Sequence, residues 1–195
     1  MRVLCLEGSP THEHVARQKD VRAVPLSFRP RDYFDFQLRA ELHRHLEEGV
    51  NLVHTHQPSL LGSITPWLWT KPQVAAIASR HILNNHNKKN PFHRTIYRRL
   101  DALVVMSQTL KRNVLATHPL RPTQVQVINL GLDFDRFDPA RVDAKAQRAR
   151  WGADADTLVV GLVGRIDPAK GQATFIRAAA GLSRNLKPNE KLKFV

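Results

Sequence analysis

The sequence predicts an α/β chain built on a doubly wound, Rossmann-like parallel sheet, followed by an incomplete second Rossmann-like domain. Three observations lead there. Apolar runs of four to eight residues recur along the chain, helical spacing with capping residues fills most intervals between them, and one polar, turn-rich stretch breaks the alternation once. Strands that alternate with helices form βαβ units, and their crossovers build a parallel sheet.

The runs lie at residues 3–6 (VLCL), 23–28 (AVPLSF), 52–56 (LVHTH), 74–78 (VAAIA), 102–106 (ALVVM), 125–130 (VQVINL), 158–164 (LVVGLVG) and 192–195 (LKFV). Their Val, Leu and Ile content suits strands buried on both faces. After Pro30, Asp32 is placed to cap a helix in which Phe34, Leu38, Leu42 and Leu46 recur at every fourth position until Gly49 stops it. Ser107 stands as the N-cap of a second helix, with Leu110 and Val114 on one face and Pro119 just past its end. Residues 131–157 are polar and dense in turn formers, and read as an interdomain connection. They separate a domain over residues 1–138 from a linker and second unit over 139–195 that holds one strand, one helix and the start of another strand.

Composition bounds the function. With 195 residues, 42% hydrophobic and 24% charged, the chain is neither a disulfide scaffold nor a disordered or fibrous one. It has no run of about 18 apolar residues, and its opening is too soon interrupted for a signal peptide, which predicts a cytoplasmic protein. The one cysteine, Cys5, sits in an apolar run and is expected to be a buried strand thiol. The net charge of +13 is concentrated. Between residues 80 and 100 stand Arg80, Lys88, Lys89, Arg94, Arg98 and Arg99 with no acid among them. This run fits a solvated face, a surface for an anionic acceptor or membrane with Phe92 and Tyr97 as its aromatics, or a nucleic-acid surface. No recognisable nucleic-acid module accompanies it.

The sharpest motif is GLVGRIDPAKG, residues 161–171, where a strand passes into a helix. In an open α/β sheet ligands sit beyond the carboxyl ends of strands. Gly164 admits close backbone approach, Arg165 and Lys170 bring two cations beside a helix N-terminus, and Gly171 closes the turn, so the group suits a diphosphate. A turn whose cations are merely solvated is the alternative. The spacing matches neither the nucleotide P-loop nor the dinucleotide GxGxxG pattern. His54 and His56, two apart on a strand, face the same side and form at most half of a metal site; no metal is predicted. His56 lines the cleft or is structural. His12, His14, His43, His45 and His118 read as solvated, and Trp67 and Trp69 as helix packing.

GLVGRIDPAKGQATFIRAAAGL resembles the opening of the donor-binding domain in family 4 glycosyltransferases of the two-domain GT-B fold. NLVHTHQP (51–58), ALVVMSQTLKRNV (102–114) and VQVINLGLDFDRFDP (125–139) agree with that family in order and spacing. The resemblance implies a retaining transferase that moves a sugar from a nucleotide-diphosphate donor to a glycan or lipid-linked acceptor such as a cell-envelope polysaccharide, with no separate cofactor. It implies that Gly164, Arg165, Lys170 and Gly171 bind the donor phosphates, that His81 serves as the catalytic histidine of the cleft, and that His56, Arg80, Lys88 and Lys89 lie on the acceptor side. It further implies contact with the inner face of a membrane. Against the family pattern the chain opens at the second strand and lacks the paired glutamates of the donor domain. It is therefore expected to be a fragment, inactive by itself and less stable beyond about residue 140. The rival reading is a non-catalytic basic module that binds anionic membrane or nucleic acid.

Overall fold

A computed structural model describes residues 1–83, 85–187 and 189–195. The chain divides into two compact units, Met1–Gly131 and Leu132–Val195.

In the first unit, β1 (Arg2–Leu6) and β2 (Arg22–Leu26) pair in parallel with Arg2 opposite Arg22, and α1 (Pro10–Ala16) connects them. Helix α2 (Phe36–Glu47) then leads to a four-stranded sheet. Its strands β3 (Leu52–Thr55), β4 (Ala75–Arg80), β5 (Ala102–Val105) and β6 (Val125–Val127) lie in sequence order and are all parallel. Parallel neighbours require crossovers, supplied by α3 (Leu61–Leu68), α4 (Pro91–Arg98) and α5 (Gln108–Thr117).

Leu103, Val105, Val125, Ala76 and Ala78 of the sheet pack with Leu68, Ile96, Tyr97, Leu110 and Val114 of the helices into one core. Burial is complete only on the middle strands. Leu52 of β3 is exposed, because this strand is paired on one edge only among the described residues, so the expectation of strands buried on both faces fails at the sheet margin. Cys5 is buried as predicted, and burial pushes its thiol pKa up.

Capping chemistry sets the helix starts. Ser107 accepts from Leu110 N at 3.2 Å, as the sequence predicts. The cap of α2 is Asp35 and not Asp32: its carboxylate accepts from Leu38 N at 2.9 Å and from Arg31 N at 2.7 Å. The predicted four-residue periodicity therefore begins one turn too early. Phe34 lies outside the helix, with φ at 53°, and is exposed.

In the second unit, Asp143 caps α6 (Ala144–Arg150), and β7 (Leu158–Val160) pairs in parallel with β8 (Leu192–Phe194) through α7 (Gln172–Arg184). Phe175 meets Phe194 edge-on at 5.8 Å, while Ile176 and Leu182 are exposed.

Candidate functional site

At the carboxyl ends of β3 and β4 three histidines form a ladder. His54 and His56, two apart, turn their rings to the same side, with centroids 4.3 Å apart. His56 in turn stacks on His81, the residue after β4, at 6.0 Å and 22°. His54 Nε2 lies 2.8 Å from Ser79 Oγ. Burial, reinforced by the charges of His56 and His81, holds the His54 pKa below the ordinary imidazole value. His54 thus favours its neutral form and is fixed by Ser79, while His56 and His81 extend the row of rings toward the strand ends. Among the described residues no group of three or more His, Cys, Asp or Glu is arranged to hold a metal ion.

A second cluster, which the sequence only half anticipates, gathers around Arg80 at the end of β4. Arg80 ends β4 opposite Val105, is 9% exposed, and its Nε has no hydrogen-bond partner among the described residues. Lys88 is anchored through its backbone N–H, which donates to Thr117 O at 2.7 Å. Burial and the charge of Arg80 lower the Lys88 pKa, with Asp32 opposing. Tyr97 is buried, which raises its phenol pKa against the pull of Arg80, its hydrogen-bond partner. His118 packs edge-on against Tyr97 at 5.1 Å. Its pKa is held down at about 3 by burial first, and then by Arg80, Lys88 and His93. His93 Nε2 meets Tyr33 Oη at 3.2 Å. Gly62 makes room for that tyrosine, since a Cβ there would stand 2.1 Å from Tyr33 Cδ1.

The basic run thus breaks into three environments. Arg99 is buried and structural: Nε donates to Leu68 O at 2.9 Å and Nη2 to Lys71 O and Val74 O at 3.1 and 2.5 Å, while Nη1 pairs with Asp101 at 3.2 Å. Lys89 remains exposed. Arg80 and Lys88 are drawn inward. Tyr97, expected on the surface with Phe92, is a core residue, and the surface aromatics are instead Phe92 with Phe34 and Tyr33, at 6.5 and 5.6 Å. His45 and His118, expected in solvent, are buried. Helical spacing cannot reveal these fates, because each depends on a neighbour from another element. Trp67 packs in the core as expected, whereas Trp69 is half exposed.

The second candidate group lies in the other unit, in the turn between β7 and α7. Gly164 and the exposed Arg165 precede a 3-10 turn, Pro168–Lys170, and Gly171 adopts a left-handed conformation, φ 79°, as it opens the helix. That φ is one glycine reaches at little cost. Asp167, missed in the sequence reading, accepts from Ala169 N at 3.0 Å and pairs with Arg165 at 2.9 Å. Gln172 Nε2 donates to Arg165 O at 2.8 Å and ties the turn to the helix. A pre-formed loop with two solvent-facing cations and free helix N–H groups can receive an anion.

Comparison with known proteins gives a consistent result. The model of the family described as Glycosyltransferase Family 4 matches residues 1–136. D-inositol 3-phosphate glycosyltransferases of Mycobacterium bovis (strain BCG / Pasteur 1173P2) and Mycobacterium tuberculosis (strain ATCC 25177 / H37Ra) are each 31% identical over 159 residues, a match that covers 74% of this chain and 32% of theirs. The chain thus spans about a third of the length of these relatives.

Proposed function

The chain belongs to glycosyltransferase family 4, and from that premise we propose that it serves the transfer of a sugar, with retention, from a nucleotide-diphosphate donor to a hydroxyl of a glycan, polyol or lipid-linked acceptor. The observation that carries the proposal is the turn after β7, where Arg165 and, one turn later, Lys170 precede a 13-residue helix. The leaving nucleoside diphosphate gains negative charge as the glycosidic bond breaks, and fixed positive charge at that point lowers the barrier. Arg165 must exchange Asp167 for the diphosphate, so Asp167 acts as a placeholder that keeps the guanidinium in position. On the acceptor side His81, stacked on His56, orients the attacking hydroxyl and accepts its hydrogen bond. Gly164 and Gly171 keep the loop narrow and correctly bent. The donor itself carries the activated sugar, so the proposal calls for no separate cofactor.

The test is calorimetric titration of the purified chain with UDP and with GDP. One of them is expected to bind saturably, and Arg165→Ala with Lys170→Ala to weaken it by about tenfold to a hundredfold, since each exposed charge-assisted contact is worth about 1 kcal/mol after solvent screening. An unchanged dissociation constant in the double variant would remove both residues from the donor site.

A peripheral membrane reading is favoured by one surface observation. Phe34, Phe36 and Phe92 are exposed beside the basic run, and aromatic rings among cations suit the interface of an anionic bilayer. Among the described residues no helix is long and apolar enough to cross a membrane. Sedimentation with phosphatidylglycerol vesicles, lost on Phe34→Ser and Phe36→Ser, is the expected outcome.

A further inference from the structure

We propose that Tyr33 and Phe92 form a sugar-binding site in the first unit, one that takes a pyranose ring of a glycan through the Tyr33 hydroxyl and the exposed Phe92 ring. A chain of hydrogen bonds prepares the hydroxyl for this. Asn90, the N-cap of α4, accepts the backbone N–H of His93 at 2.9 Å, so the atom there is the amide oxygen Oδ1, which can only accept. The same oxygen lies 2.9 Å from His93 Nδ1, which therefore carries the ring proton. That leaves Nε2 as an acceptor, and the Tyr33 hydroxyl, 3.2 Å away at the surface, donates to it. Burial, followed by the charge of Lys88, lowers the His93 pKa and favours the neutral ring that this chain of bonds needs. A phenol that donates to a histidine is polarised, and its oxygen becomes a stronger acceptor for a further hydroxyl.

The rings around the hydroxyl are held in place. Tyr33 bridges to Gly62 and sits so close that a Cβ there would lie 2.1 Å from Tyr33 Cδ1. Phe92 is exposed and stands 5.6 Å from Tyr33 at 47°, and Phe34, next to Tyr33, keeps a left-handed φ of 53°. A residue with a side chain adopts that conformation rarely, and such residues cluster at ligand sites. The parts come from the loop before α2 and from the first turns of α3 and α4. Both of those helices start beyond the carboxyl ends of the strands that precede them, where open α/β sheets bind ligands. A pyranose offers an apolar C–H face and a rim of hydroxyls, so one ring can lie on Phe92 while a hydroxyl donates to Tyr33 Oη. The apolar part of a bilayer, by contrast, has no donor for the phenol oxygen and makes no use of the hydrogen-bond chain. The sugar site stands independently of the transferase reading, whereas its assignment to a glycan acceptor, in preference to a polyol, rests on that reading.

The test uses the 195-residue chain, with maltotriose, cellotriose and mannotriose as probes. Each is titrated at neutral pH while the Phe92 amide and the His93 ring nitrogens are followed by nuclear magnetic resonance. The expected result is an Nδ1–H tautomer at His93 and a saturable shift with at least one trisaccharide. Tyr33→Phe, which removes the hydroxyl and leaves the ring in its seat, should raise the dissociation constant about tenfold, and Phe92→Ala should weaken the same sugar. No saturable shift with any of the three, an Nε2–H tautomer, or an unchanged constant in Tyr33→Phe would overturn the site. If Tyr33→Phe does not fold, Phe92→Ala carries the test, and unchanged binding there overturns the site equally. Phosphatidylglycerol vesicles that move the Phe92 amide while the sugars leave it in place overturn the site in favour of membrane contact. The donor reading fails separately: UDP and GDP binding can be lost while the sugar shift remains, or the reverse.

Discussion

Replacing Arg99 with Met is expected to destabilise the first unit by about 3 kcal/mol, because this guanidinium ties the end of α3 and the turn after it to the start of β5. Leu68 O and Lys71 O each keep a backbone donor, Lys71 N and Val74 N, both at 3.1 Å, and the half-exposed Asp101 keeps Ala76 N at 2.7 Å, so the loss centres on Val74 O. Hydrogen bonds from a charged group contribute about 1.5 to 3 kcal/mol where they are buried, and the two shared carbonyls add about 0.5 kcal/mol each. Methionine fills most of the volume, which keeps cavity formation out of the sum. Urea unfolding followed by the fluorescence of Trp67 and Trp69, both in the first unit, in a Trp151→Phe background that silences the second unit, reads the effect. With a denaturant slope of about 2 kcal/mol per molar, the midpoint should fall by about 1.5 M. A fall of less than about 0.5 M at unchanged slope would show that solvent, and not Arg99, satisfies those carbonyls.

Three further outcomes follow from the same structure. Gly62→Ala should cost about 1 to 3 kcal/mol by forcing Tyr33 from its seat, and should also abolish the Tyr33–His93 hydrogen bond, seen as a changed His93 titration by proton resonance. The folded pKa of His118, about 3, lies below the ordinary 6.5, so the stability it supports is complete above pH 6.5 and drains as pH falls toward 3, at about 1.4 kcal/mol per pH unit; His118→Gln should flatten that slope in acid unfolding, and an unaltered slope would place the titrating group elsewhere. Amide hydrogen exchange should be slower at Leu103 and Val105, fully buried on β5, than at Leu158–Val160, where Leu158 is exposed, and equal protection would contradict the difference in packing.

The sequence by itself determined the positions of the eight strands found among the described residues, the parallel α/β alternation and the Ser107 cap. It also located the glycine-bounded turn with Arg165 and Lys170 and the pairing of His54 with His56 on one side of a strand. These are local properties, written in periods of two and of about four residues and in capping chemistry that acts over three positions. The tertiary structure decided what the basic run does. Arg80, Lys88, Lys89 and Arg99 look alike along the chain, yet Arg99 answers backbone carbonyls of the α3 end, Arg80 is buried beside Tyr97, Lys88 is held at the end of α5, and Lys89 stays in solvent. It likewise sent Tyr97 and His118 into the core and made Gly62 the seat of Tyr33. Burial, and the charge balance that burial enforces, depends on which side chains arrive from other elements, and a run of charges in sequence carries no record of those neighbours.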